Sequence, residues 1–164
     1  MFQAKAIAAD DKPAFYRDLA QQLEGLLHGE TDAIANAANT AALLFATLPD
    51  LNWAGFYFLR APDVLVLGPF QGKPACVRIA AGRGVCGAAV KERRTMRIDD
   101  VNAFADHIAC DSASRSELVV PLFRGETIVG VLDLDAPIPG RFDADDQRGI
   151  ETIAGIYTKA SDAL

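Results

Sequence analysis

Between Pro13 and Leu27 the apolar residues Phe15, Leu19, Leu23 and Leu26 or Leu27 recur at helical spacing, which predicts an amphipathic helix with one buried stripe. Gly29 ends it. Thr31 and Asp32 suit the cap of a second, Ala-rich helix running to Leu48, with Ile34, Ala38, Leu43 and Leu44 facing inward and Pro49 and Asp50 stopping it. The pattern then changes to alternation. Over residues 52–59, Ala54, Phe56 and Phe58 alternate with Trp53, Gly55, Tyr57 and Leu59, a strand that is apolar on both faces. A turn at 60–63 leads to a returning arm over 64–67. Gly68 to Pro74 interrupts, and a third strand over 75–79 carries Cys76.

Gly82, Gly84 and Gly87 make a glycine turn that feeds a short helix containing Cys86. A phosphate-loop reading fails there, because the G-x-x-x-x-G-K-[ST] spacing is absent; the glycines serve close backbone packing or positive φ. A short strand over 95–98 and a long loop over 99–116 follow, and loops of that length inside compact domains are usually functional. Residues 117–123 and 127–135 form a second hairpin about Arg124, Gly125 and Glu126, with Asp133 and Asp135 on one face and Leu132 and Leu134 on the other. A last helix begins at Asp143, a capping residue with Asp145 and Asp146 in the first turn, and turns Ile150, Ile153, Ala154 and Tyr157 inward. Helices at both ends and five or six hairpin-joined strands between them predict an α+β fold: a central, mainly antiparallel sheet of about six strands flanked by N- and C-terminal helices.

Composition narrows the function classes. The chain has 164 residues and a net charge of -6, from 16 Lys plus Arg against 22 Asp plus Glu. That length fits one domain over residues 1–164, burying on the order of 70% of its unfolded surface. The charge argues against nucleic-acid partners, which need clustered Lys and Arg; the run Lys91-Glu92-Arg93-Arg94 reads as a solvated turn. The first residues lack the apolar core of a secretion signal, and no run reaches the ~18 apolar residues of a membrane span, so the expected location is the cytoplasm, without a membrane partner. The three cysteines, Cys76, Cys86 and Cys110, then sit in a reducing compartment and point to redox, metal or catalytic chemistry.

Cys110 lies among small polar residues with Arg115 nearby, an environment that favours a thiolate, nucleophile and redox centre; that stretch alone leaves an inert, buried cysteine as the alternative. His107, three positions earlier, is a candidate base or merely a solvated loop histidine. With no C-x-x-C pair, a structural zinc site is not expected. Glu117 opens a strand, and Asp133 and Asp135 share one side of another that is otherwise apolar. Charges there are costly unless partnered, which suits a cationic ligand group or proton transfer, unless they simply meet solvent at the strand end. Trp53 and Tyr57, on one strand face, could wall a small-ligand pocket or serve as core aromatics.

The stretches Asn52-Trp53-Ala54-Gly55-Phe56-Tyr57, Val66 through Cys76, Gly82-Arg83-Gly84-Val85-Cys86-Gly87 and His107-Ile108-Ala109-Cys110-Asp111 through Pro121 closely resemble the free methionine-R-sulfoxide reductases, which are stand-alone GAF domains. The likeness covers residues 52–135, and the general GAF pattern extends it to both terminal helices. The three cysteines in those contexts are its specific part; the 116–135 hairpin alone indicates only a GAF domain. The resemblance implies that Cys110 is catalytic, with Cys76 and Cys86 as candidate resolving cysteines and Cys76 favoured. It implies Glu117, Asp133 and Asp135 as ligand-site acids and Trp53 and Tyr57 as the aromatic wall.

On that footing, the Cys110 thiolate would attack the sulfoxide sulfur while Glu117 or Asp135 helps protonate the oxygen, leaving methionine and a sulfenic acid that a second thiol closes to a disulfide. Thioredoxin would restore the pair. No metal or other cofactor is called for, and a homodimer is left open. The rival readings are a non-catalytic GAF sensor of a small molecule, which would need an output domain for which the chain has no room, and a redox sensor whose disulfide is itself the signal.

Overall fold

The computed structural model describes residues 7, 11–61, 63–105 and 112–163. Its elements in chain order are α1 (Lys12–Leu27), α2 (Ala33–Thr47), β1 (Trp53–Ala61), β2 (Val64–Gly72), β3 (Arg78–Ala80), α3 (Gly84–Glu92), β4 (Met96–Ile98), a 3-10 turn at Val101–Ala103, β5 (Ser116–Arg124), β6 (Thr127–Ala136) and α4 (Ala144–Ala160). Local chemistry sets the helix starts. Asp11 accepts from the Ala14 amide at 2.7 Å, Asp32 accepts from Ile34 and Ala35, and Asp143 forms a capping box with Asp146, each satisfying amides that have no partner within the helix.

The six strands form one sheet in the order β3-β2-β1-β6-β5-β4, every neighbouring pair antiparallel. Alternation divides the core in two. Ala54, Phe56 and Phe58 of β1, Leu118, Val120 and Leu122 of β5, and Leu132 and Leu134 of β6 pack beneath α1, α2 and α4. Trp53, Tyr57, Val119 and Val131 face the other way, toward α3. The α+β expectation of six strands between terminal helices therefore holds. No helix of the described residues is long and apolar enough to cross a membrane.

Three expectations change. Ile34 and Ala38 are exposed, and the buried stripe of α2 runs through Ala33, Ala37, Ala41 and Leu44 together with Asn36 and Thr40; a helix so rich in alanine offers little contrast from which to read its inner face. The 68–74 interruption is mostly strand, since β2 continues to Gly72. Pro69 sits where the β1–β2 register slips between Gly55 and Tyr57, beyond the Val64–Val66 stretch that pairs with β3, the edge and bulge setting a proline tolerates. A Cβ on Gly68 would lie 2.6 Å from the Phe58 ring. The third strand is only Arg78–Ala80, so Cys76 precedes it in a loop.

Asp146 joins the two ends of the chain. It is buried, with 1% of its surface exposed, and accepts from Tyr16 at 2.8 Å, Lys12 at 2.6 Å, Arg141 at 3.3 Å and the Asp143 amide at 2.8 Å. Removing one member of a buried charged network leaves the rest uncompensated. Asp146→Ala is expected to lower the unfolding free energy by about 3 kcal/mol, seen as a lower urea midpoint at unchanged slope; a loss below about 0.5 kcal/mol would show that Asp146 holds nothing.

Candidate functional site

Register places the acids. Across β1, β6 and β5, Trp53, Asp135 and Glu117 lie in one row, Gly55, Asp133 and Val119 in the next row toward the β5–β6 turn, and Tyr57 pairs with Val131 beyond that. All project to the α3 side, where Trp53, Tyr57, Cys86, Glu117, Asp133 and Asp135 line one cavity. Gly55 matters by what it lacks. A Cβ there would meet Phe70 at 2.4 Å and the Trp53 ring at 2.6 Å, so its absence lets Phe70 stack on Trp53 (centroids 5.4 Å, 13°) and Trp53 on Tyr57 (5.8 Å, 25°).

The helix α3 delivers Cys86 to the acids. Gly82 and Gly84 take positive φ values of 82° and 59°, and a Cβ on Gly87 would approach the Ala80 carbonyl oxygen to 2.4 Å, so the glycines of this turn do what their pattern predicts. The Cys86 thiol donates to Asp133 Oδ2 at 3.3 Å. Burial raises the Cys86 pKa well above its ordinary value, reinforced by the adjacent Asp133 and Glu117 carboxyls, which keeps it a thiol. Burial also raises Glu117, with Asp133 and Asp135 adding to the rise, and raises Asp133 against a smaller opposing pull from the Cys86 hydrogen bond. Asp133 Oδ1 is buried with no hydrogen-bond partner among the described residues.

The aromatic wall ties down the loop that carries Cys76. The Tyr57 hydroxyl donates to the Cys76 carbonyl at 3.0 Å and Trp53 Nε1 to the Lys73 carbonyl at 3.2 Å. Cys76 is disulfide-bonded, and Cys86 is the free cysteine among the described residues. Cys110 and His107 lie outside the described residues. Arg115, expected to favour a thiolate at Cys110, pairs with Asp100 at 3.1 Å, and the Asn52 amide donates to Ser114 at 3.0 Å, anchoring the start of β5.

Thus Trp53, Tyr57, Glu117, Asp133, Asp135 and Cys86 come together in one cavity, and Cys76 is held at its edge through Tyr57. Phe70, Arg83 and Ser114 were missed. Phe70 was hidden by the Gly-Pro pair that read as an interruption; Arg83 and Ser114 carry no signal, since only the fold brings those loops to the acids. Among the described residues, Cys86, Glu117 and Asp133 are also the group whose ligand atoms lie close enough to share an ion, all within 4.8 Å of one another.

The GAF-domain family model matches residues 17–158. The free methionine-R-sulfoxide reductase of Escherichia coli is 53% identical over 149 residues, spanning 91% of this chain and 90% of that protein. Protein YtsP of Bacillus subtilis is 54% identical over 92% of this chain and 93% of its own. The X-ray structure of free methionine-R-sulfoxide reductase from Neisseria meningitidis in complex with its substrate superposes with a TM-score of 0.93 at 45% identity, covering 98% of this chain and 95% of that one.

Two outcomes follow from the buried acids and the glycine turn. Because the folded pKa values of Glu117 and Asp133 are raised, their contribution to stability is whole below the ordinary carboxylate range of about pH 4 and is lost as pH rises through the folded values. Unfolding free energy should therefore fall between about pH 5 and pH 8, and Asp133→Asn should flatten that slope; a slope identical in the variant would refute it. Gly87→Ala should cost about 1–3 kcal/mol by overpacking against Ala80, measured by thermal unfolding, whereas Gly25→Ala, with open space around it, should not destabilise.

Proposed function

Since the chain belongs to the free methionine-R-sulfoxide reductases of the GAF-domain family, we propose that it reduces free methionine-(R)-sulfoxide to methionine, with Cys110 as the attacking thiol and Cys76 as the resolving one. The observation that carries the reading is the buried Asp133 Oδ1, unpartnered among the described residues, in a cavity walled by Trp53 and Tyr57 beside a disulfide-bonded Cys76. An ammonium group supplies what Asp133 lacks, and an aliphatic thioether chain suits stacked aromatic rings. A peptide-bound residue has no free ammonium, which accounts for a preference for the free amino acid. Pocket shape selects R over S, since the epimers differ only at sulfur.

The Cys110 thiolate attacks the sulfoxide sulfur while a carboxylic acid protonates the oxygen, and the hydroxyl then passes to the Cys110 sulfur as the transient bond between the two sulfurs breaks. Glu117, kept neutral by burial and by its acidic neighbours, is the favoured donor, with Asp135 at the same cavity as the alternative. Methionine leaves, and Cys110 carries the oxygen as a sulfenic acid. The Cys76 thiol displaces that oxygen as water and forms the disulfide, so two thiols are oxidised for each sulfoxide reduced. Thioredoxin reopens the bond by exchange, a cycle suited to the reducing cytoplasm. Cys86 is a poor resolving thiol by comparison, because burial and its bond to Asp133 keep it protonated; it orients the acid instead.

The test offers the purified protein free methionine-(R)-sulfoxide, its S epimer and a blocked peptide sulfoxide, with thioredoxin recycling. Turnover of the free R form alone is expected, abolished by Cys110→Ser. Cys76→Ser should retain a single methionine released per chain without sustained turnover. Asp133→Asn should lower kcat/KM by about 10²-fold, the loss of a buried charge contact of 2–5 kcal/mol. Fully reduced protein that turns over none of the three substrates would sink the reading and favour a small-molecule sensor.

A further inference from the structure

We infer that the same cavity binds a borderline-soft divalent cation, Zn²⁺ in type, through the Cys86 thiolate and the Glu117 and Asp133 carboxylates. The three ligand atoms lie within 4.8 Å of one another. Cys86 Sγ and Asp133 Oδ2 are 3.3 Å apart, close to the edge of roughly 3.5 Å set by Zn–S and Zn–O bonds of about 2.3 and 2.0 Å in a tetrahedron. Asp133 Oδ1, buried and unpartnered among the described residues, adds an acceptor that lacks a donor. The cavity these groups share has a volume of about 40 Å³, enough for an ion with a coordinated water. The ligands stand on α3, β5 and β6, elements that cannot drift apart without breaking the core.

The donor set chooses the metal. One thiolate with two carboxylates fits Zn²⁺ or Cd²⁺ and excludes Mg²⁺, which takes oxygen in an octahedral shell. Binding moves protons from the three groups to solvent and changes no oxidation state. The fourth position belongs to water or to Asp135, which lines the same cavity. The sequence gives no hint of this site, because its ligands are separated by 31 and 16 positions without any short-spaced pair. A cation there occupies the place assigned above to the substrate's ammonium, so the metal acts as an inhibitor of the apo enzyme rather than as its cofactor.

The experiment titrates Cd²⁺ into the Cys76→Ser/Cys110→Ser protein, in which Cys86 is the remaining thiol of the three, and follows the ultraviolet thiolate-to-metal charge-transfer band. Saturation at one ion per chain is expected, and adding Cys86→Ser should abolish the band. Asp133→Asn and Glu117→Gln, each checked for folding by circular dichroism, should weaken binding at least about tenfold, the lower bound seen even for outer-shell groups. If one of these fails to fold, the other carries the test. Absence of a saturable band, or a band of unchanged affinity in the folded carboxylate variants, would overturn the proposal. Zn²⁺ should also raise KM for free methionine-(R)-sulfoxide without lowering kcat, an arm that rests on the reductase reading, whereas the Cd²⁺ titration does not.

Discussion

Two carboxyl groups and a thiol share a pocket from which water is largely withdrawn, and the rest of the molecule is arranged to tolerate that. Glu117 and Asp133 are 6% and 5% exposed, and neither can ionise there without a counter-charge. Among the described residues no lysine or arginine pairs with them, although Arg83 lines the same cavity. The fold supplies a thiol donor, Cys86, and leaves one oxygen of Asp133 without a partner among the described residues. A structural ion pair would have been completed. An incomplete one, inside a rigid sheet, is the feature on which the proposed recognition of a positively charged group rests.

The sheet meets that cost through its other face. Phe56, Leu118, Leu132 and Leu134 alternate with the site residues along the same strands and are fully buried under three helices, each worth about 1.5–3 kcal/mol of burial. Asp146 then closes α1 onto α4 at the far side. Stability and chemistry thus occupy opposite surfaces of one sheet. A substitution in the acidic cluster acts through electrostatics, and one beneath the helices acts through packing.

Much of this was legible from alternation. Placing Asp133 and Asp135 opposite Leu132 and Leu134 needed only a period of two, and Trp53 with Tyr57 followed by the same rule; the capping aspartates Asp32 and Asp143 were equally plain. What stayed hidden depended on contacts between distant segments. The strand through Gly68 and Pro69 was concealed because a bulge and a sheet edge excuse residues that usually break strands. The inner face of α2 was misjudged because alanine is nearly as tolerable outside as in. The bond from Cys86 to Asp133 spans 47 positions and leaves no trace in spacing, so the preference for Cys76 over Cys86 as the resolving thiol rested on the family resemblance alone.

Trp53 is the chain's sole tryptophan. Its ring stacks on both Phe70 and Tyr57, and its indole nitrogen holds the loop that leads to Cys76. The molecule therefore carries an optical reporter inside its own site. Under the proposed thiol cycle, opening the Cys76 disulfide or filling the acidic pocket would change the surroundings of this one fluorophore, so emission intensity would follow a single turnover in unlabelled protein, with no second tryptophan to blur the signal.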